Sequence, residues 1–240
     1  RWDKAYLSKM IPPPNLDGMK ILLVDEKSIG KGHAYITLIM NATTGELLHY
    51  YEGKKQDGMI EFLDKMTQKQ RDEVIAVGMD RAGAYKSAVQ EKLPNAEIVF
   101  DRFHLIMNYN KCIDQVRKSE YKKANEEDKA VIKGQRFNVF RNHENRDDDQ
   151  KRSVKLLMAI NKNLCIMEVM KDSFRKLWTY TYRKSAEKHL MNWVDMAMAS
   201  GVEALEKFAK GVLRDKDQIL SYCKHRVTSG KLEGFNNIVR

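Results

Sequence analysis

Cysteine, glycine and proline are scarce in this sequence, which has three Cys, 13 Gly and four Pro among 240 residues. Cys112, Cys165 and Cys223 are too far apart for a local zinc motif, and an odd number leaves at least one thiol unpaired. We therefore expect buried free thiols in a reducing cytosol. A glycine-rich phosphate-binding loop is also missing, because the "GKG" at 30–32 is too short for one.

Long apolar runs are absent as well. No stretch reaches the roughly 20 apolar residues of a membrane-spanning helix, and no signal peptide is recognisable. We therefore expect no membrane partner. The sequence begins with Arg1 rather than Met and ends on residues typical of a helix interior, which predicts a piece of a longer protein.

Positive charge is the compositional feature that is present in excess. Lys and Arg number 43 against 33 Asp and Glu, which gives a net charge of +10 and a pI near 9.3. This excess favours a polyanionic partner, with nucleic acid as the first candidate. The alternative is a basic protein without such a partner, and charge alone does not distinguish the two.

The hydrophobic pattern divides the chain into a β-rich part and a helical part. Residues 1–18 contain three of the four prolines and predict an extended linker. Apolar runs with turn residues between them then predict strands and helices in the order β-β-β-α-β-α-β, with one helical face over 57–73. The pattern from about 104 to 225 is helical throughout, and its aromatic and Met stripe favours a core rather than a cofactor site.

Three apolar runs each end in an aspartate, namely "KILLVD" at Asp25, "VIAVGMD" at Asp80 and "AEIVFD" at Asp101. Right-handed crossovers place the first, fourth and fifth strands parallel and side by side in one mixed sheet. The carboxylates of Asp25 and Asp80 would then lie on adjacent strands about 4.8 Å apart. A divalent cation would offset their repulsion. The alternative for Asp80 is a helix N-cap before "RAGAY".

The last twelve residues, "SGKLEGFNNIVR", predict an amphipathic helix capped by Thr228 or Ser229. Glu233 and Asn237 line its polar stripe, opposite an apolar stripe that suits a sheet. Glu233 is therefore a candidate site residue. The alternative is that its charge only complements the positive end of its own helix dipole.

Long, ordered motifs in this chain resemble the DDE transposases of the ISL-three (ISL3) insertion-sequence family. They are "VDEKSIGKGHAYITLI", "TTGELLHYYEGKKQD", "AVGMDRAGAYKSAVQEKLPNAEIVFDRFHLI", "KGQRFNVFRNHENR" and "HRVTSGKLEGFNN". The resemblance implies an α/β fold, with an RNase H-like mixed five-stranded sheet and flanking helices interrupted by an all-α insertion. On this basis we expect a linker over 1–18, the first part of the core over 19–118, the insertion over 119–222 and the last core helix over 223–240.

The same resemblance implies the catalytic chemistry. The family's three acidic residues correspond to Asp25, Asp80 and Glu233. They would bind two Mg²⁺ ions, with Mn²⁺ as a substitute, for cleavage and transfer of DNA strands. The expected partners are the ends of a bacterial insertion sequence and its target DNA, with a homodimer acting on paired ends at the nucleoid.

Other residues are assigned supporting roles. Asp101 and His104 in "DRFH" are auxiliary candidates, and a simple histidine at a helix start is an equal alternative for His104. Candidate DNA contacts are the basic residues Lys31, Arg81, Arg102, Arg226 and Lys231 together with Asn236 and Asn237. Two other functions stay open: an RNase H-like nuclease or resolvase that cuts without joining, and a catalytically inert DNA-binding relative.

Overall fold

The computed structural model describes residues 14–28, 35–53, 55–81 and 83–227 of the chain. These residues form two compact units. The sheet unit comprises the described residues up to Asp101 together with Val227, and the helical unit comprises Arg102–Arg226. The helical unit starts earlier than the insertion predicted for 119–222, because one continuous helix covers Arg102–Lys123.

Five strands form one sheet in the first unit: β1 Ile21–Ser28, β2 Tyr35–Asn41, β3 Leu47–Glu52, β4 Ala76–Met79 and β5 Glu97–Phe100. Their spatial order is β3-β2-β1-β4-β5. β1 pairs antiparallel with β2, and β2 pairs antiparallel with β3. β1 and β4 are parallel, as are β4 and β5. The predicted mixed sheet, with strands one, four and five side by side, is confirmed.

The central strands are apolar because both faces of the sheet are covered. All four residues of β4 are buried, as are the last three of β5. Such continuous apolar runs are typical of parallel strands that pack on both sides. The polar residues Asp80 and Asp101 follow these runs directly and mark the C-terminal ends of the two strands.

The helices of the sheet unit are α1 Gln56–Lys65, α2 Gln68–Glu73 and α3 Gly83–Lys92. The helical face predicted for 57–73 is confirmed at Met59, Phe62 and Leu63 of α1. The segment nevertheless forms two helices, because the chain leaves helical geometry at Met66. Thr67 and Gln70 then form a capping box that starts α2. A Thr followed three residues later by Gln is the usual sign of a helix start, and the apolar periodicity across this point concealed it.

The helical unit consists of α-helices joined by short connections. They are α4 Arg102–Lys123, α5 Glu126–Ile132, α6 Arg136–Phe140, α7 Asp148–Ile160, α8 Lys162–Lys176, α9 Arg183–Met198, α10 Glu203–Arg214, α11 Lys216–Leu220 and α12 Tyr222–His225. Short 3₁₀ turns lie at His143–Asn145 and Leu177–Thr179. No helix among the described residues is long and apolar enough to span a membrane.

Aromatic side chains make the core of the helical unit. The rings of Phe174 and Trp193 have centroids 4.8 Å apart, and Tyr109 packs edge-on against Phe208 at 5.2 Å. The Tyr109 hydroxyl donates a hydrogen bond to the Met167 carbonyl at 2.8 Å, so its polar end is satisfied within the core. The expectation that this stripe is core is confirmed, except that Met196 is half exposed.

The three cysteines lie in the helical unit as free thiols. Cys112 and Cys223 are buried as expected, whereas Cys165 is only partly buried. Burial raises the pKa of the Cys112 thiol to about 11. The Cys112 side chain is therefore protonated at neutral pH and behaves as a small apolar group.

Candidate active site

Asp25 lies within β1, the central strand of the sheet, and is partly buried. The prediction that this strand ends at Asp25 is wrong, because pairing with β2 continues to Ser28. Asp25 is level with Leu38 of the antiparallel neighbour β2. The backbone N–H of Glu26 donates a hydrogen bond to Asp25 Oδ1 at 2.8 Å. At Asp25 the strand is paired with β2, whereas its pairing with β4 on the other side ends at Leu23.

Asp80 follows β4 directly and is also partly buried. The parallel register pairs Leu23 with Gly78, so two residues further along Asp25 and Asp80 are level with each other. Adjacent strands are about 4.8 Å apart. α3 begins at Gly83, so Asp80 lies two residues before the N-cap position. The two residues therefore lie on neighbouring strands, just beyond the point where the parallel pairing of β1 and β4 ends.

Asp101 follows β5 and is level with Asp80, since Met79 pairs with Phe100. Its backbone N–H donates to the Met79 carbonyl at 2.9 Å, and only 6% of the residue is exposed. Asp101 thus lies one strand further from Asp25 than Asp80 does, as the strand order predicts. Among the described residues, no three His, Cys, Asp or Glu side chains are grouped closely enough to hold a metal ion.

After the helical unit, the chain returns to the sheet unit at Val227. A Cβ atom built on Gly78 would lie 2.5 Å from Cγ1 of Val227 and 2.8 Å from Cδ2 of Leu23. Val227 therefore covers the side of β4 toward which a Gly78 side chain would point. Because side chains alternate along a strand, this is the face that carries Leu23 and Asp25 on β1 and Asp80 after β4.

This contact explains why a glycine is needed in the middle of a buried strand. A Gly78→Ala substitution is expected to destabilise the protein by about 1–3 kcal/mol, because the new methyl group overpacks a filled space. Urea unfolding measures the change. The double variant Gly78→Ala, Val227→Ala should recover part of the loss, since it removes the 2.5 Å contact. Equal stability of the wild type and the single variant would contradict the packing described.

Tyr85 of α3 connects that helix to the opposite face of the sheet. Its hydroxyl lies 2.8 Å from Thr37 Oγ1 and donates to Glu26 Oε1 at 2.8 Å. Glu26 and Thr37 are paired in β1 and β2. Tyr85 thus fixes the start of α3, and with it the loop after Asp80. Our sequence reasoning missed this contact, because nothing in the local pattern links three residues so far apart in the chain.

A Tyr85→Phe substitution tests this connection. It should cost about 1–2 kcal/mol of stability at neutral pH, because Thr37 and Glu26 each lose a hydrogen-bond partner. The exposed Tyr50 is 62% accessible, and Tyr50→Phe is the matched control with little expected change. An equal effect of the two substitutions would contradict the anchoring role.

The same residue gives a pH-dependent prediction. Burial, as the largest cause, raises the pKa of Tyr85. In the unfolded chain the phenol ionises near pH 10, so above that pH the native state holds a proton that the unfolded state has lost. Stability should therefore fall as the pH rises above about 10. The fall should be shallower in Tyr85→Phe, as measured by urea unfolding at a series of alkaline pH values.

The remaining predicted site residues fall into two groups. Lys31, Glu233, Lys231, Asn236 and Asn237 lie outside the described residues. The others lie within the described residues.

Arg81 directly follows Asp80 and is partly buried, whereas Arg102 is exposed at the start of α4. His104 lies in the first turn of α4 with its ring edge-on to Phe103 at 5.8 Å. The guanidinium of Arg226 donates to the carbonyls of Trp178 at 2.8 Å and Tyr180 at 2.6 Å. That side chain already has a structural role, and its contact with DNA stays a prediction.

Comparisons with known proteins identify a family. A family model described as transposase, for the ISL3 group of DDE transposases, matches residues 22–240. The chain is 29% identical over 241 residues to the transposase for insertion sequence element IS1001 of Bordetella parapertussis, covering 99% of this chain and 59% of that protein. It is 19% identical over 240 residues to the transposase for insertion sequence element IS1557 of Mycobacterium tuberculosis, covering 90% of this chain and 54% of that protein.

The chain thus spans less than two thirds of the length of these relatives. The match to the family model nevertheless covers Asp25, Asp80 and the residues that follow Val227. A mixed five-stranded sheet with flanking helices is consistent with the RNase H-like fold of DDE transposases. The chain therefore belongs to the ISL3 family of DDE transposases.

Proposed function

We propose that this chain is the catalytic part of a DNA transposase, which cuts DNA at the ends of an insertion sequence and joins those ends to target DNA. It would act at the bacterial nucleoid. The observation that carries the proposal is the placement of Asp25 and Asp80 on two adjacent parallel strands, each two residues beyond the last paired residues, Leu23 and Gly78. Val227 packs against Gly78 of β4. The proposed third catalytic residue is Glu233, which lies six residues further along the chain.

The donor set fits the proposed Mg²⁺ ions. Asp25 on β1 and Asp80 directly after β4 offer hard carboxylate oxygens, and both residues are only partly buried. Mg²⁺ prefers such ligands and keeps several of its waters. We propose that Asp25, Asp80 and Glu233 hold two ions. When bound, Mg²⁺ activates the attacking oxygen and offsets negative charge on the leaving oxygen.

The chain itself contributes rigid positioning. The Glu26 N–H bond to Asp25 Oδ1 orients one carboxylate, and Tyr85 fixes the helix that follows the other. In the first step a water oxygen bonds to the phosphorus and the P–O3′ bond breaks, which leaves a 3′-hydroxyl and a 5′-phosphate. In the second step that 3′-hydroxyl oxygen bonds to a target phosphorus and displaces the target's own 3′-oxygen.

Two DNA substrates test the proposal. The first carries the uncut ends of the element that encodes the protein, and the second carries the same ends already cut to a 3′-hydroxyl, together with a plasmid target. With Mg²⁺ or Mn²⁺ we expect nicking of the first and joining of the second, both resolved on denaturing gels. Nicking without joining would favour the resolvase-like alternative, and neither reaction would favour the inert relative.

A further inference from the structure

The excess positive charge of the protein lies entirely in the helical unit. Residues 102–226 contain 27 Lys and Arg against 17 Asp and Glu, a net charge of +10. The rest of the chain contains 16 of each and is neutral. A polyanion should therefore be attracted to the helical unit rather than to the sheet unit as a whole.

Three aromatic residues of this unit are exposed, Tyr182 by 78%, Phe137 by 71% and Phe103 by 53%, and the Phe137 ring has a guanidinium beside it. Phe137 lies on the short helix α6. The guanidinium of Arg136 lies 5.6 Å from the centroid of the Phe137 ring and 5.5 Å from that of Phe140. Arg136 is itself exposed. The surface thus presents an open ring directly beside a cation.

Buried charges hold this short helix in place. Lys171 of α8, which is 1% exposed, donates from Nζ to the carbonyls of Val139 at 2.6 Å and Arg141 at 3.2 Å. Arg146 donates from Nε to the carbonyl of Asn138 at 2.8 Å. Two buried cations therefore bind three carbonyl groups at the C-terminal end of α6 and just after it.

Glu168 of α8 joins these two cations. Its Oε2 lies 2.9 Å from Lys171 Nζ and its Oε1 lies 2.6 Å from Arg146 Nη2. All three side chains are at most 7% exposed. We name this cluster the Arg146–Glu168–Lys171 network. The charged stretch 141–153 predicts a solvated loop with a helix start; a helix does start within it, at Asp148, but Arg146 is buried.

Three buried charged side chains support a helix of only 5 residues. A five-residue helix is not stable by itself, and burying three charges has a high desolvation cost. Their geometric effect is to give α6 one position and one orientation. Such rigid support is what a binding side chain needs, since a preorganised group loses little entropy when its partner arrives.

The charges around Phe137 suit a nucleic acid. Lys133 and Arg141, on either side of α6, are exposed. The nearby acidic side chains are already engaged: Glu144 pairs with Arg175, Asp147 caps α7, Asp148 pairs with Lys151 and Asp149 pairs with Arg152. Arg136, whose Nε also lies 3.7 Å from Asp114 Oδ2, is the cation shown beside the exposed ring, and this neighbour favours a nucleotide over an apolar protein surface.

We propose that Phe137 is a stacking platform for an unpaired DNA base, with Arg136 beside it to contact the adjoining phosphate. An aromatic ring accepts any base because every base has a flat face, while cations follow the backbone. Strand ends and cleavage sites are where unpaired bases arise. The inference thus rests on the proposed transposase function, and it assigns to the helical unit a contact with single-stranded DNA.

Binding of uncut DNA, measured by fluorescence anisotropy without catalysis, tests the platform. The probes are a labelled single strand of about 20 nucleotides and the duplex of the same sequence. Phe137→Ala should weaken single-strand binding about tenfold or more and change duplex binding less than about twofold. Phe137→Trp should retain single-strand binding. Leu156→Ala is the matched control, because Leu156 is 51% exposed but has no ring.

A cross-link provides a positive readout. A single strand that carries 5-iododeoxyuridine should cross-link on irradiation to the peptide that contains Phe137, and the cross-link should disappear in Phe137→Ala. Thermal unfolding of the variants should match the wild type, since the ring is exposed. A loss of stability would instead show that the ring supports the fold, and would overturn the proposal.

The other outcomes separate the two hypotheses. If the wild type binds both DNA forms and Phe137→Ala binds them equally well, the platform is wrong and the transposase function stands. If Phe137→Ala alters self-association rather than DNA binding, the ring is a protein contact. If the wild type binds neither form, both the platform and the proposed function fail.

Discussion

Replacing Asp80 by Asn is expected to abolish DNA strand cleavage while leaving the fold intact. The amide has nearly the shape of the carboxylate but is a much poorer ligand for Mg²⁺, and we expect the rate to fall by about 10³-fold or more. The same result is expected for Asp25→Asn. Gel assays on element-end DNA measure cleavage, and urea unfolding should show equal or slightly higher stability, because two adjacent carboxylates no longer repel each other.

Two further variants make this prediction specific. Asp72→Asn is the matched control, because Asp72 is an exposed carboxylate on α2 and should not affect cleavage. Asp101→Asn should have a smaller effect than Asp80→Asn, since Asp101 lies one strand further from Asp25. Near-normal cleavage by Asp80→Asn together with loss in Asp101→Asn would mean that Asp101 is the second catalytic carboxylate.

Replacing Glu168 by Ala is expected to give the largest loss of stability. The substitution leaves Arg146 and Lys171 buried side by side, at most 2% exposed, without their shared counter-charge. Removal of one partner from a buried ion pair typically costs about 3–5 kcal/mol. Urea unfolding followed by tryptophan fluorescence measures this loss, since Trp178 and Trp193 both lie in the helical unit.

The control for this prediction is a surface ion pair in the same unit. Glu144 binds Arg175 at 3.0 Å with 61% of its side chain exposed, and Glu144→Ala should cost less than about 1 kcal/mol. Glu168→Ala should also reduce single-strand binding in conditions where the protein remains folded. Without Glu168, the side chains of Arg146 and Lys171 no longer hold α6 in one position. Similar stabilities of the two variants would contradict the structural importance of the Arg146–Glu168–Lys171 network.

The sheet was predictable because its signals are local and strong. Apolar runs such as "VIAVGMD" and "AEIVFD" allow few conformations other than buried strands. Right-handed crossovers then leave one arrangement of strands one, four and five. The neighbouring positions of Asp25 and Asp80 follow from that order, so the candidate site could be located without coordinates.

The helical unit was less predictable, because its important contacts link distant parts of the chain. Arg146 lies in the stretch "RNHENRDDDQKRS", whose charge predicts exposure, yet it is buried against Glu168. Burial of a charge depends on whether a counter-charge arrives from elsewhere. A local pattern carries no such information, and the exposed position of Phe137 was unpredictable for the same reason.

The sequence by itself determined the five strands and most of the helical segments, the positions of Asp80 and Asp101 directly after their strands, and the net positive charge of the helical segment. These properties depend on residue type and local periodicity, which the chain displays directly. Only the tertiary structure decided that Val227 packs against Gly78, two residues before Asp80. It also decided that the buried side chains of Arg146 and Lys171 hold the helix on which Phe137 is exposed. Both results depend on close packing between residues far apart in sequence, where shape and charge must match in three dimensions.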